Sequence, residues 1–226
     1  HQPKVKPVGL IIPIKPATVG LRDGILLVTS VPPRYSYSLF SATIASQWLS
    51  YFDEQCLFVR ALHLPVRDQL MIRLYQEDYG WNQILRWMEK FDNLKYDHGL
   101  LKIQEQISKS KICVCTYNAT TYLESFAMNI PTVIFWNRDQ WELRESAIPF
   151  FNELKRVGIF HDSPESAAEH INSIWNDVDN WWNSLEVKGV LLRFTQQFCN
   201  TPKDLVFGIE SELRQVISIN ILEEIK

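Results

Sequence analysis

A chain of 226 residues, 46% hydrophobic and 22% charged, is long enough to bury a sizeable core and excludes a disordered tail or a fibrous repeat. Lys+Arg 23 against Asp+Glu 26 leaves a formal net charge of −3, so no basic field is available for a nucleic-acid backbone and nucleic acid is not an expected partner. The longest apolar runs, residues 24–30 and 130–136, fall far short of the roughly 20 residues that cross a bilayer, and no transmembrane segment is predicted.

Residues 1–6 carry Pro and Lys rather than a signal-peptide pattern, which reads as a linker or cut edge extending to residue 23 and predicts a cytoplasmic protein. The first strand is expected at residues 24–30 (GILLVTS), followed by a Pro-Pro turn and helices at 38–50 and 52–62. Strands follow at 69–74 (QLMIRL), 95–97, 112–117 (ICVCTY) and 131–136 (PTVIFW), with helical spacing at 81–91, 99–109 and 120–128 between them. Beyond residue 160 the strand signal disappears, and 164–178, 180–199 and 204–224 read as helices. This alternation predicts an α/β fold, a doubly wound parallel sheet with a helical C-terminal tail, in one domain over 24–200 followed by a terminal helix in 201–226. Four cysteines are too few for a disulfide scaffold, and Cys113 and Cys115 fall on one face of a strand as reduced core residues. With no C-x-x-C pair and five scattered histidines, neither a metal nor a cofactor is expected.

In an open parallel sheet the ligand crevice lies outside the carboxyl ends of the strands, and here four such loops are polar. After strand four, Thr116, Asn118, Thr120 and Thr121 lead into a helix whose first amides and positive dipole end would welcome a phosphate, with Glu124 one turn on as an acceptor for a ribose diol. Thr121 and Glu124 also have the spacing of a capping box, and the two readings are compatible. After strand two, residues 73–81 place a guanidinium (Arg73), two phenols (Tyr75, Tyr79), two carboxylates (Glu77, Asp78) and an indole (Trp81) within nine positions, the composition of a clamp for a sugar or base, or of a lid packed on neighbouring helices. Arg34 is a candidate anion ligand or a surface residue of the proline turn. No G-x-G-x-x-G or G-x-x-x-x-G-K-[ST] occurs, which disfavours dehydrogenases and P-loop ATPases. Trp136, Trp141, Trp175, Trp181 and Trp182 could stack on carbohydrate, but core packing is the stronger expectation. His161 beside Asp162 could be an oriented imidazole, or a turn before the helix that starts near Ser163.

The stretch VCTYNATTYLESFAMNIPTVIFWNRDQWELRESAIPFFNELKRVGIFHDSPESAAEHI, with RLYQEDYGWNQILRW upstream and NDVDNWW at 176–182, resembles a bacterial family of transferases of surface-carbohydrate biosynthesis, of the O-antigen and capsule kind, over most of residues 24–200. The resemblance implies the C-terminal, donor-binding domain of a two-Rossmann-domain (GT-B type) glycosyltransferase. It implies a nucleotide-sugar donor held by Thr116, Asn118, Thr120, Thr121 and Glu124, a cleft lined by Arg73, Tyr75, Asp78, Tyr79 and Gly80, and a donor-side loop with Asn137, Glu142 and Arg144. The acceptor, a glycan or lipid-linked glycan, would be held by a missing N-terminal domain, making this chain a fragment; peripheral association with the inner membrane through that missing half is left open. Gln76 stands where the family's Arg-Leu-Tyr segment continues with Pro, leaving that backbone less fixed. Two rival readings remain: a nucleotide-sugar epimerase or hydrolase, with Asp78, Glu142 and His161 as candidate catalytic acids and bases, and a non-catalytic domain whose aromatic loops at 75–81 and 136–141 bind a protein.

Overall fold

The computed structural model describes residues 20–35, 43–99, 101–199 and 206–214. The predicted linker up to residue 19, the first part of the helix expected at 38–50 and most of the helix expected at 204–224 lie outside them; residues 206–214 are helical.

Six strands, β1 (Asp23–Val28), β2 (Leu70–Arg73), β3 (Lys95–Asp97), β4 (Ser110–Cys115), β5 (Thr132–Phe135) and β6 (Phe160–His161), form one parallel sheet in the order β3-β2-β1-β4-β5-β6. Central β1 pairs on both sides, Ile25 with Leu70 and with Ile112, so it is buried from Ile25 to Val28. This is the Rossmann-like doubly wound α/β fold expected from the alternation of short Val/Ile runs with amphipathic segments. The sheet has one strand more than the sequence reading found. Strand β6 is two residues long, and a two-residue strand leaves no periodicity to detect.

Right-handed crossovers dictate where the helices go. The chain moves from β1 to β2 through α1 (Trp48–Ala61) and a short α2 (Leu64–Arg67), and from β2 to β3 through α3 (Gln83–Lys90). From β4 it moves the opposite way along the sheet, to β5 through α5 (Thr120–Ala127) and to β6 through α6 (Ile148–Arg156), which places α5 and α6 on the face opposite α1. The long return from β3 to β4 carries α4 (Ile103–Lys109), and α7 (Pro164–Ile174), packed against α1, closes the first face. Helices α8 (Val178–Asn183) and α9 (Leu185–Phe198) continue the tail, and α9 packs on α5 and α6.

Several boundaries correct the sequence reading. Among the described residues, the end of the helix expected at 38–50 and the helix expected at 52–62 are one helix, α1, preceded by a 3-10 turn at Ala45–Gln47, because Trp48, Phe52, Cys56 and Val59 make one unbroken buried stripe. The tail breaks at Ser184, whose side chain accepts from Val187 N and restarts the chain as α9. Helix α6 lies in a stretch where the spacing singled out none.

The core bears out the reduced cysteines: Cys113 and Cys115 are buried with their sulfurs 3.8 Å apart, and Cys56 and Cys199 are likewise buried and reduced. It also decides the tryptophans. Trp136, Trp141 and Trp182 are buried, and Trp175 and Trp181 pack half-buried against the core. Tyr122 and Phe151 pack on Trp136, and Phe194 in turn meets Phe151 and Phe126 edge-on, an aromatic cluster that fixes α5, α6 and α9 to the sheet. None of the five is a free carbohydrate platform. Ser163 caps α7 by accepting from Ser166 N at 3.2 Å. Ser163→Ala is expected to lower the unfolding free energy by about 1 kcal/mol in urea titrations; an unchanged midpoint would remove the cap from the account.

Candidate functional site

All six strands run the same way, so the loops after β1, β2, β4 and β5 emerge at one edge, with the topological switch point between β1 and β4. Directly at the switch point the sheet edge is closed. The Tyr51 hydroxyl, from α1, accepts from Ser30 N at 3.0 Å and lies 2.6 Å from Thr116 Oγ1, which in turn donates to Val28 O at 3.0 Å. This chain of hydrogen bonds ties α1 across β1 and β4 and leaves Thr116 1% exposed. Burial pushes the Tyr51 phenol far above its ordinary range, so it stays protonated as a donor. Thr116, expected in the phosphate corner, is therefore a structural residue.

The edge opens on the other side of that plug. A cavity of about 310 Å3 is lined by Val28 from the end of β1, Arg73 to Glu77 after β2, Gly99 after β3, Ile103 at the start of α4, and Tyr117 and Thr121 after β4. Its floor is apolar strand end and its rim is polar loop, and its volume is at the lower end for a small-molecule site. Of the residues expected to bind donor, Arg73, Tyr75 and Thr121 share this wall. Glu77, one of the two carboxylates of the loop after β2, lines it too, and Gln76, Gly99, Ile103 and Tyr117 belong to it without having been singled out as ligands. Tyr117 and Thr121 could have been paired by their i, i+4 spacing; their hydroxyls are 2.9 Å apart.

Helix α5 begins at this wall without a side-chain cap: its N-cap is Ala119, in an extended conformation. The capping box expected from Thr121 and Glu124 is not formed. Thr121 instead faces Tyr117, and the buried Glu124 carboxylate accepts from Gln104 Nε2 at 2.7 Å, bracing α4 against α5 and lying outside the cavity wall. The first-turn amides of α5 thus have no side-chain acceptor, which is the condition under which a helix start attracts an anion.

Elsewhere at this edge, several expected ligands are already engaged by the protein itself. Arg73 donates to Asp97 Oδ2 (2.8 Å), to Gln106 and to Leu101 O (2.9 Å), so the single guanidinium in the wall is already neutralised. Asp78 holds the start of α3 by accepting from Asn82 N (2.8 Å) and Gln83 N (2.7 Å). Although partial burial opposes it, these amide hydrogen bonds pull the Asp78 carboxyl below the usual range, the opposite of what a general acid needs. Arg34 donates to Gly80 O at 2.9 Å and lies over the Trp81 ring, joining the loops after β1 and β2.

Asn118 accepts from the Tyr122 hydroxyl, and Thr120 is exposed at the helix start. Asn137 donates to Glu54 Oε1 at 3.0 Å on the β5 side, where burial pushes the Glu54 carboxyl upward; Glu54 is a polarised group the sequence reading missed. Glu142 and Arg144 are on the same side, outside the cavity wall. His161 sits on edge strand β6, its ring bound to Ser166 Oγ (2.9 Å) and Gly158 O (3.0 Å), while Asp162 pairs with Arg138 at 2.9 Å and with Lys155. The imidazole is therefore not oriented by its neighbouring carboxylate. The candidate acid/base trio Asp78, Glu142 and His161 does not share one cavity. Among the described residues, no group of three or more His, Cys, Asp or Glu could hold a metal, and no helix is long and apolar enough to cross a membrane.

Residues 10–213 match the family described as LIC12162 family transferase. No curated protein matches the chain. Among solved structures, the crystal structure of WaaG, a glycosyltransferase involved in lipopolysaccharide biosynthesis, is similar at 10% identity and a TM-score of 0.42, over 81% of this chain and 49% of that one. The chain spans about half the length of that structure.

Proposed function

The chain belongs to the LIC12162 family of transferases, and we propose that it is the donor-binding part of a glycosyltransferase that uses a nucleotide-sugar to build bacterial surface polysaccharide, of the O-antigen or capsule kind. The observation that carries the reading is the uncapped start of α5 at the rim of the cavity beside the closed β1/β4 switch point, with the Thr121 hydroxyl in the cavity wall. The donor's diphosphate lies against those amides. In the reaction the acceptor oxygen forms a bond to the anomeric carbon as the bond from that carbon to the phosphate oxygen breaks. The electron pair leaves on the nucleoside diphosphate, and the acceptor's proton passes to a base. Preorganised N–H and hydroxyl donors stabilise the charge as it accumulates on the departing phosphate. With Arg73 engaged by Asp97, that stabilisation comes from amides and hydroxyls rather than from a side-chain cation in the wall. The acceptor is a glycan or lipid-linked glycan held by a further domain.

The epimerase or hydrolase alternative requires an acid/base pair in the same cleft, and the dispersion of Asp78, Glu142 and His161 gives it no support. Calorimetric titration of the chain with UDP, GDP, CMP and their sugars tests the proposal. At least one nucleotide is expected to bind, with affinity falling roughly tenfold in Thr121→Ala through loss of a charge-assisted hydrogen bond. A folded protein that binds no nucleotide would overturn it.

A further inference from the structure

All eight tryptophans are buried or half-buried, yet two tyrosines at the mouth of the cavity are left open to solvent, Tyr75 45% and Tyr79 42% exposed. Their rings lie nearly parallel, 29° apart in plane with centroids 5.9 Å apart. The loop that presents them is bent into conformations that side-chain-bearing residues rarely adopt: Tyr79 has φ 53°, Gly80 83° and Asn82 53°.

Those conformations are held from all sides. Arg34 N and Nη1 donate to Tyr79 O and Gly80 O, Trp81 Nε1 donates to Pro32 O at 2.7 Å, Arg86 Nε donates to Trp81 O at 2.7 Å, and the Asp78 carboxylate takes the amides of Asn82 and Gln83. A rigid, locally strained loop that keeps an aromatic pair in water at a cavity rim is preorganised to receive a flat ligand.

We propose that the cavity-side face of the Tyr75 ring, backed by Tyr79, is the platform on which the donor's nucleobase stacks. The two rings are already at stacking distance from each other, so a third ring adds to an outer face rather than entering between them. Tyr75 lines the cavity and Tyr79 does not, which selects the outer face of Tyr75 and makes Tyr79 a positioning residue. The assignment of a base rests on the donor reading above. Tyr75 and Thr121 reach the cavity from the two sides of β1, one from the loop after β2 and one from the start of α5, which follows β4. A nucleoside diphosphate anchored by its phosphates at α5 therefore turns its base toward Tyr75 and sends its sugar the other way.

The experiment compares UDP, GDP and ADP with inorganic pyrophosphate by calorimetry on the full chain and on Tyr75→Ala and Tyr75→Phe, each checked for folding by circular dichroism. At least one nucleotide is expected to bind more tightly than pyrophosphate. Tyr75→Ala is expected to weaken that nucleotide roughly ten- to a hundredfold, the usual worth of a stacked base. Pyrophosphate should be unaffected, and Tyr75→Phe should restore the nucleotide. Nucleotide affinity that is indifferent to Tyr75→Ala, with pyrophosphate still bound, overturns the platform and leaves the phosphate site standing. Failure of every nucleotide and of pyrophosphate overturns both. A free monosaccharide or oligosaccharide that depends on Tyr75 while the nucleotides do not would make the ring a pyranose platform and overturn the base assignment.

Discussion

Arg73→Met is expected to cost about 3–5 kcal/mol of stability, because it leaves a mostly enclosed carboxylate without its cation. Arg73 and Asp97 are only 13% and 14% exposed, and their ion pair locks the ends of β2 and β3 together while Gln106 and Leu101 O attach the same guanidinium to α4 and the loop before it. The charge, rather than the pair itself, causes the loss, so Arg73→Met/Asp97→Asn should recover much of it. The side-chain carbonyl introduced by Asp97→Asn would still accept the Gly99 amide that Asp97 accepts now at 2.9 Å. Urea unfolding of wild type, single and double variants measures this. A single variant as stable as wild type but with lost nucleotide affinity would return Arg73 to the role of an anion ligand. A double variant no better than the single would show that burial of charge is not the cause.

The case of Arg73 also shows where sequence reading reached its limit. The fold was legible because each buried parallel strand is a run such as ILLV or TVIF, a signal carried by consecutive residues and independent of what they touch. The region of the site was legible for the same reason, since strand ends follow from strands. Which side chains face the opening was not legible, because that depends on partners distant in sequence. Thr116 is closed off by Tyr51, 65 positions earlier, and Arg73 is claimed by Asp97 and Gln106, 24 and 33 positions later. The capping box failed for the same reason. The spacing from Thr121 to Glu124 is right, but Gln104 supplies Glu124 with a buried partner and Tyr117 supplies Thr121 with another. The loop after β3 was overlooked although the strand itself was placed at 95–97, because Gly99 has no side chain to signal a contact and Ile103 reads as an ordinary apolar helix position.

Stability is expected to fall as pH drops from about 6.5 toward 4, through two histidines that the fold keeps neutral. His161 is held in one tautomer: Nε2–H donates to Gly158 O, so Nδ1 accepts from Ser166 Oγ. His170 lies 5.3 Å from it, ring to ring, and edge-on to Trp181 at 4.9 Å, with Nε2 buried and lacking a hydrogen-bond partner among the described residues. Gly158 is the hinge of this packing. Its φ is 77°, and a Cβ there would fall 2.5 Å from the His170 ring, so any side chain would push the ring out. Burial, with His161 close by, brings the His170 imidazole down to about 4, and burial also lowers His161 despite Asp162 on one side, with Lys155 acting the same way as burial. The unfolded chain therefore binds protons that the folded chain refuses. The stabilisation is complete above about 6.5, falls away below it, and is gone near pH 4. For His170 the loss is roughly 2 to 3 kcal/mol once partial solvent contact is allowed for, with His161 adding in the same direction. Carboxylates begin to titrate at the lower end of that range, so the measurement is the difference between wild type and His170→Phe in urea unfolding at pH 7, 6 and 5. The phenyl ring keeps the edge contact with Trp181 and carries no proton, so the variant's stability should decline less between pH 7 and 5. Parallel curves for the two proteins would mean that the imidazole finds a partner for its proton in the folded state.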